Sequence, residues 1–159
     1  MHEGMDLKAD LVLRPATPGD AREVAEVLIR SRAEYLPFAP SAHPPDAVHA
    51  WVADRLVPTC VVIVAEQHGE IVGVVATSHL DGVSWIEQMY VRPGCVGRGV
   101  GTRLLEHAHR HLPRPIRLYT FQANAGARRF CERYGYRAIE LTDGQSNEER
   151  CPDVLYELS

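Results

Sequence analysis

Val91-Arg92-Pro93-Gly94-Cys95-Val96-Gly97-Arg98-Gly99-Val100-Gly101-Thr102 lies between a β-rich run and an amphipathic helical pattern, and its reading decides the fold. Glycines at 97, 99 and 101 remove the side chains that would keep an anion away from the backbone. The first N–H groups of the helix that follows have no partners within it. Together with the helix dipole they can bind phosphate oxygens, and Arg98 adds a positive charge. The plainer reading is a strand-to-helix turn that needs glycine only for flexibility. Two nucleotide motifs fit less well. A dinucleotide fingerprint requires its third glycine where Leu104 stands, and a P-loop requires Lys-Ser or Lys-Thr where Thr102-Arg103 stands. A phosphate-bearing ligand of another type is left.

The flanking sequence supports this placement. Before the turn, β-branched runs at Cys60 to Glu66, Ile71 to Leu80 and Val83 to Val91 are separated by His68-Gly69 and Asp81-Gly82, which predicts an antiparallel meander. After it, Val100, Leu104, Leu105, Ala108 and Leu112 keep helical spacing until Pro113 and Pro115, and Ile116 to Phe121 reads as the next strand. Strand, turn, helix and strand in succession form a right-handed crossover with parallel outer strands. A further helix from Ala125 to Tyr134 stops at Gly135, and two closing strands follow at Tyr136 to Leu141 and Val154 to Leu158. Upstream, Leu11 to Pro15 reads as an opening strand. Thr17-Pro18-Gly19-Asp20 starts a helix running to about Tyr35. The prolines between Leu36 and Pro45 make a loop, and a second helix is predicted from Asp46 to about Val57 with Val48, Trp51, Val52 and Leu56 inward. The class is α+β (mixed α/β), with a central mixed sheet of about six or seven strands flanked by about four helices.

At 159 residues the chain fits one domain, read as 11–159 behind a short N-terminal tail, 1–10. Apolar residues make up 45% and charged residues 24%, and no apolar run approaches the ~20 residues of a membrane span. Met1 to Asp10 has no apolar signal core, so a cytoplasmic protein with no membrane partner is expected. Cys60, Cys95, Cys131 and Cys151 have no paired spacing, which argues for free thiols rather than a metal site. A net charge of −4 and a pI near 6.0 provide no basic field for nucleic acid.

Val91-Arg92-Pro93 followed by Gly97-Arg98-Gly99-Val100-Gly101 resembles the pyrophosphate-binding motif of the GNAT N-acetyltransferases. A second element, Asn124, Ala127, Phe130 and then Glu132-Arg133-Tyr134-Gly135-Tyr136, resembles that family's Asn-x-x-Ala helix and its terminal Gly-aromatic pair. The order of predicted elements matches the family from about Leu11 to Leu158. The resemblance implies the GNAT acetyltransferase fold and a transferase that moves acetyl from acetyl-CoA, leaving coenzyme A as product, to a primary amine of a small molecule or peptide. It implies that Val96, Gly97, Arg98, Gly99, Val100, Gly101 and Thr102 hold the coenzyme A pyrophosphate, and that Met89, Tyr90 and Val91 pair with the pantetheine arm. Asn124, Ala127 and Phe130 complete the cofactor site, and a homodimer is compatible with the family. Two positions depart from the pattern. Val96 replaces the usual Gln or Arg, which matters little if main-chain donors hold the ligand, and Cys131 replaces the tyrosine that serves many members as general acid.

Acetyl transfer needs a neutral amine beside a thioester carbonyl, donors for the developing oxyanion, and a proton for the leaving thiolate. Glu87 is the candidate base, since strict alternation puts it on one face with Trp85, Met89 and Val91, where desolvation would raise its pKa. The alternative is a solvent-open rim. Tyr119, across the expected cleft, can position a water or the amine, and Cys131 can protonate the thiolate or merely pack. Tyr35, Phe38 and His43 near the proline loop, and Glu149 in the loop Asp143 to Asp153 beside Glu148, are candidate acceptor contacts. His43 is also an alternative base. His107 and His111, four apart, read as a solvated helix face. A different function on the same fold is a catalytically weak acyl-CoA-binding regulatory module. The acceptor itself, whether antibiotic, polyamine, amino acid or protein N-terminus, is left open.

Overall fold

Among the described residues seven strands form one sheet, in which the first five lie in chain order and the seventh separates the fifth from the sixth. The computed structural model describes residues 10–39 and 43–159; residues 1–9 of the expected tail and residues 40–42 of the proline loop lie outside these. β1 (Leu11–Pro15), β2 (Val61–Gln67), β3 (Glu70–Leu80) and β4 (Val83–Val91) pair antiparallel in sequence order. The two hairpin turns take positive φ at both central residues, 52° and 79° at His68-Gly69 and 53° and 79° at Asp81-Gly82. This is the geometry that matches a two-residue turn to strand twist. β5 (Ile116–Phe121) lies parallel to β4, reached through helix α4 (Val100–His111) as the crossover reading requires. β7 (Asp153–Leu158) inserts between β5 and β6 (Arg137–Leu141), antiparallel to both.

Helices cover both faces. On one face α1 (Ala21–Tyr35) packs Val24, Val27 and Leu28 onto Val62, Val64 and Val74, and α2 (Pro45–Trp51) lays the partly buried Val48 against the same cluster. On the other, α4 and α5 (Ala125–Arg133) pack Val100, Leu104, Leu105 and Cys131 onto Val75, Ile86, Ile116 and Tyr156. Strands covered on both faces need apolar residues at every position, which is why β2 and β3 read as continuous rather than alternating runs. Each fully buried Leu or Val contributes about 1.5–3 kcal/mol. A Cβ at Gly73 would lie 2.7 Å from Val100 Cγ1 and 3.0 Å from Leu104 Cδ1, so glycine there lets α4 seat directly on β3.

The start of α1 is tied to the sheet by Asp20. Its carboxylate accepts the Thr17 N–H at 2.7 Å and the Arg14 guanidinium at 2.8 and 3.1 Å, while Arg14 Nε donates to Glu66 at 2.7 Å. The guanidinium beside it holds the Asp20 carboxyl down to about 2, against the opposing effect of burial. After Trp51 the chain passes through a π-helical turn (Val52–Leu56) into a last short helix, α3 (Val57–Thr59). The wider turn suits the four-residue steps from Val48 to Val52 to Leu56, so Trp51 falls off the buried stripe. Its side chain is 39% exposed, which corrects the inward placement expected from regular helical spacing.

Candidate active site

The parallel pairing of β4 and β5 covers only Ser84 with Ile116 and Trp85 with Arg117, and beyond it the strands part. A β-bulge falls where they separate: Thr77 of β3 faces Ile86 and Ala76 faces Gln88, so Glu87 is the extra residue. The opening is a cavity of about 560 Å³. It is walled by Ile86 to Tyr90 of β4, by Leu118 to Phe121 of β5, by Asn124, Ala127, Phe130 and Cys131, and by part of the β6–β7 connection. Because the bulge reverses the alternation, Ile86, Met89 and Val91 face α4 and α5, whereas Trp85 and Tyr90 face the other way. Glu87 therefore does not share one face with Trp85 and Met89. Its carboxylate is exposed on the cleft rim and accepts a hydrogen bond from Ser78 Oγ at 2.6 Å, so the desolvated setting expected from strict alternation is not present.

Behind Met89 and Phe130 of the cleft wall lies the glycine turn, with Gly101 beside both side chains. Gly97 and Gly99 both have φ of 85°, a conformation other residues rarely adopt, and Gly99 is the left-handed N-cap of α4. The Arg103 N–H bonds Gly99 O at 3.0 Å, which leaves the N–H groups of Val100, Gly101 and Thr102 as the unpaired first turn. Val96 and Arg98 are exposed beside them. A Cβ on Gly101 would sit 3.7 Å from Met89 Cε and Val91 Cγ2, so the protein alone does not demand glycine there. The Arg92 N–H bonds Val72 O at 2.8 Å, and by strand alternation the amides of Met89 and Val91 point away from β3, into the gap. Thr102 is held by the Tyr134 hydroxyl at 3.1 Å. Asn124 caps α5, its side-chain oxygen accepting the Ala127 N–H at 3.1 Å, which accounts for the Asn-x-x-Ala spacing.

The candidate catalytic residues all line this cleft. Tyr119 is half-exposed, stacks on Trp85 with ring centroids 6.0 Å apart, and is pushed up by burial and by the Asp153 and Glu140 carboxylates. Cys131 is buried, and burial pushes its thiol up to about 12. The acceptor candidates divide. Tyr35 does not line the cleft, and Phe38 makes an edge-on contact with Phe121 of its wall. Glu149 lines the cleft but is bonded to Arg32 of α1 at 3.1 Å, and His43 meets Glu148 at 3.2 Å. The sequence reading missed Arg32, Gln88 and Thr120. Arg32 also donates to Tyr90 Oη and Ala39 O, Gln88 follows the bulge, and Thr120 carries a buried hydroxyl with no hydrogen-bond partner. His107 and His111 stack at 4.2 Å on α4, and among the described residues no three His, Cys, Asp or Glu side chains gather as metal ligands would.

The β6–β7 connection is a built loop. Asn147 donates to Cys151 O at 2.7 Å and accepts the Cys151 N–H at 3.1 Å. Gly144 has φ of 81°, and a Cβ there would collide with the Cys151 carbonyl group. This bracing presents Glu148 and Glu149 to the α1–α2 side.

Residues 26–136, more than half of the chain, match the acetyltransferase (GNAT) family. No curated protein matches in sequence. Among solved structures, PaiA N-acetyltransferase of Thermoplasma acidophilum in complex with coenzyme A is 17% identical. Its TM-score is 0.75 over 92% of this chain and 97% of that one. A GCN5-related N-acetyltransferase of Rhodopseudomonas palustris is 23% identical, with a TM-score of 0.75 over 93% and 94%. YncA of Salmonella typhimurium with its cofactor acetyl-CoA is 20% identical, with a TM-score of 0.68 over 94% of each chain. At these identities the likeness is one of fold.

Proposed function

The chain belongs to the GNAT acetyltransferase family, and on that premise we propose that it transfers acetyl from acetyl-CoA directly to a primary amine of a small molecule or peptide. The observation that carries this reading is the continuity between the glycine turn and the cleft. Gly101, at the unpaired start of α4, lies beside Met89 and Phe130 of the cleft wall, and the Met89 and Val91 amides point into the gap between β4 and β5. That chemistry fits a pyrophosphate followed by an amide-bearing arm: main-chain donors and a helix N-terminus for the anion, and strand edge groups for the arm. Gly97, Gly99, Val100, Gly101 and Thr102 would hold the pyrophosphate, with Val96 and Arg98 beside it. Met89, Tyr90 and Val91 would align the arm, and Ala127, Phe130 and the capped Asn124 would close over it. Acetyl-CoA bound there supplies an activated thioester carbonyl.

The remaining work falls to residues at the bulge. Glu87, beside the parting strands, accepts the proton that the amine must lose, and its hydrogen bond from Ser78 keeps the carboxylate in place. The Met89 N–H, which by strand alternation points away from β3 just past the bulge, offers a donor to the carbonyl oxygen. The amine nitrogen gains the acetyl carbon and gives up a proton, and one proton ends on the released sulfur. Tyr119 stays protonated at neutral pH, so its hydroxyl can donate from the opposite wall. Cys131 serves as apolar wall. A second donor in the cleft means that the cysteine at 131 does not favour a binding-only module.

The test is calorimetric titration with coenzyme A followed by a thiol-release assay on a broad amine panel. Acceptor-dependent release is expected. Binding without release for every amine would overturn the enzymatic reading.

A further inference from the structure

A second cavity, of about 780 Å³, adjoins the cleft and shares Leu36, Gln88 and Glu149 with it. The shared Gln88 directly follows the bulged Glu87, so this cavity abuts the β4 bulge. Its body is apolar: Leu28 and Ile29 of α1, Pro37, and Val48 and Trp51 of α2. The outward turn of Trp51, which removes that ring from the core, makes it a wall of this groove instead. The acids that could draw a cation are Glu148 and Glu149, and each already faces a base, Glu148 with His43 at 3.2 Å and Glu149 with Arg32 at 3.1 Å. Arg32 itself lines the groove. A ligand with several ammonium groups would therefore press like charges on Arg32 and desolvate extra charge against apolar walls, both of which cost free energy.

Building on the acetyl-transfer reading, we propose that the acceptor is a monoamine carried on an apolar, ring-sized body. The ring lies against Trp51 and Val48, and the amine reaches past Gln88 toward Glu87. This choice excludes polyamines and aminoglycosides as preferred acceptors. Aromatic packing on Trp51 sets affinity, and the single nitrogen meets the bulge, so binding and chemistry are divided between the two cavities.

The test compares phenethylamine and tryptamine with spermidine and kanamycin in thiol-release kinetics. The aromatic monoamines are expected to show kcat/KM at least tenfold higher. Trp51→Ala should raise KM for phenethylamine about tenfold while kcat and acetyl-CoA affinity stay unchanged, and Trp51→Phe, which keeps a ring, should stay near wild type. A readout without turnover is the change in tryptophan emission when phenethylamine binds in the presence of coenzyme A, expected to be several times larger in the wild type than in Trp51→Phe, where Trp85 alone reports. Preference for spermidine or kanamycin, or an unchanged KM in Trp51→Ala, would overturn the assignment of acceptor class and leave acetyl transfer standing. Failure of every amine would overturn both.

Discussion

Arg32 of α1 and Glu149 of the β6–β7 connection, 117 residues apart in the chain, meet at 3.1 Å where the two cavities adjoin. Both side chains are largely shielded, and the same guanidinium donates to Tyr90 Oη and to Ala39 O. Arg32→Ala removes all of these bonds and leaves Glu149 facing an apolar groove. A loss of about 1–3 kcal/mol is expected in urea unfolding, with a smaller loss for Glu149→Gln. A double-mutant cycle should return a coupling of roughly 1 kcal/mol; additive losses would show that the pair does not hold the loop.

Gly99 and Gly101 make different demands. Gly99 sits at φ 85°, so Gly99→Val strains the backbone whether or not ligand is present, and a lower melting temperature is expected along with lost coenzyme A binding. At Gly101 the protein leaves room for a Cβ. Gly101→Ala should therefore keep the wild-type melting temperature to within a few degrees while losing coenzyme A affinity at least tenfold by calorimetry. Unchanged affinity in a folded Gly101→Ala protein would remove the glycine turn from the cofactor site.

Asp20 links stability to acid. Its carboxyl is held at about 2 in the folded protein, below an unfolded value near 3.8. A depressed carboxylate stabilises the fold above the unfolded value, and that contribution disappears as pH falls from about 4 through 2. The expected size is about 2 kcal/mol at neutral pH. Asp20→Asn should cost about that much at pH 7, and the gap from wild type should shrink toward zero near pH 2. A gap that stays constant with pH would assign the loss to geometry at the α1 start rather than to charge.

The meander, the crossover and the anion-binding turn were legible because each has a local cause: β-branched runs, Gly-containing hairpin turns, and a glycine cluster before an amphipathic helix. The insertion of Glu87 has no such mark. Trp85-Ile86-Glu87-Gln88-Met89 reads as ordinary alternation, and only the register against Ala76 and Thr77 reveals the bulge. The same holds for β7 slipping between β5 and β6, since strand composition does not encode which neighbour a strand takes. Trp51 was misplaced because a π-helical turn breaks the 3.6-residue period. The pairing of Glu149 with Arg32 and of Glu148 with His43 depends on a loop folding back across the sheet, so an acid that looked available in sequence is already engaged.

Glu87→Gln keeps the shape at the bulge and still offers an oxygen to Ser78, but it cannot take a proton. Turnover should fall by roughly 10²–10⁴-fold with acetyl-CoA affinity unchanged, and the acidic limb of the rate profile should be lost. Ser78→Ala, which removes the 2.6 Å hydrogen bond but not the base, should cost far less. Equal losses in the two variants would mean that the pair acts structurally at the bulge.

Cys131 occupies the position where many family members carry a tyrosine acid, and its surroundings decide whether it can replace one. The residue is 5% exposed on α5 and belongs to the core cluster with Leu105, Leu118 and Tyr156. Burial drives its thiol up to about 12, whereas an ordinary thiol, like that of the released coenzyme A, titrates near ~8.5. A proton moving from the first to the second climbs roughly 3.5 pH units, or roughly 5 kcal/mol, and the thiolate left behind would be buried. Solvent offers a route without that penalty, and the half-exposed Tyr119 hydroxyl one that leaves no buried thiolate. Cys131→Ala is therefore expected to keep kcat within about twofold, and its lost packing should appear as about 1–2 kcal/mol of stability. Cys131→Tyr is the informative partner. The residue faces a cleft of about 560 Å³, so a ring can enter it, and a phenol reaching the sulfur should raise kcat above wild type. An Ala variant slowed tenfold or more, with acetyl-CoA affinity and melting temperature near wild type, would restore the thiol as proton donor.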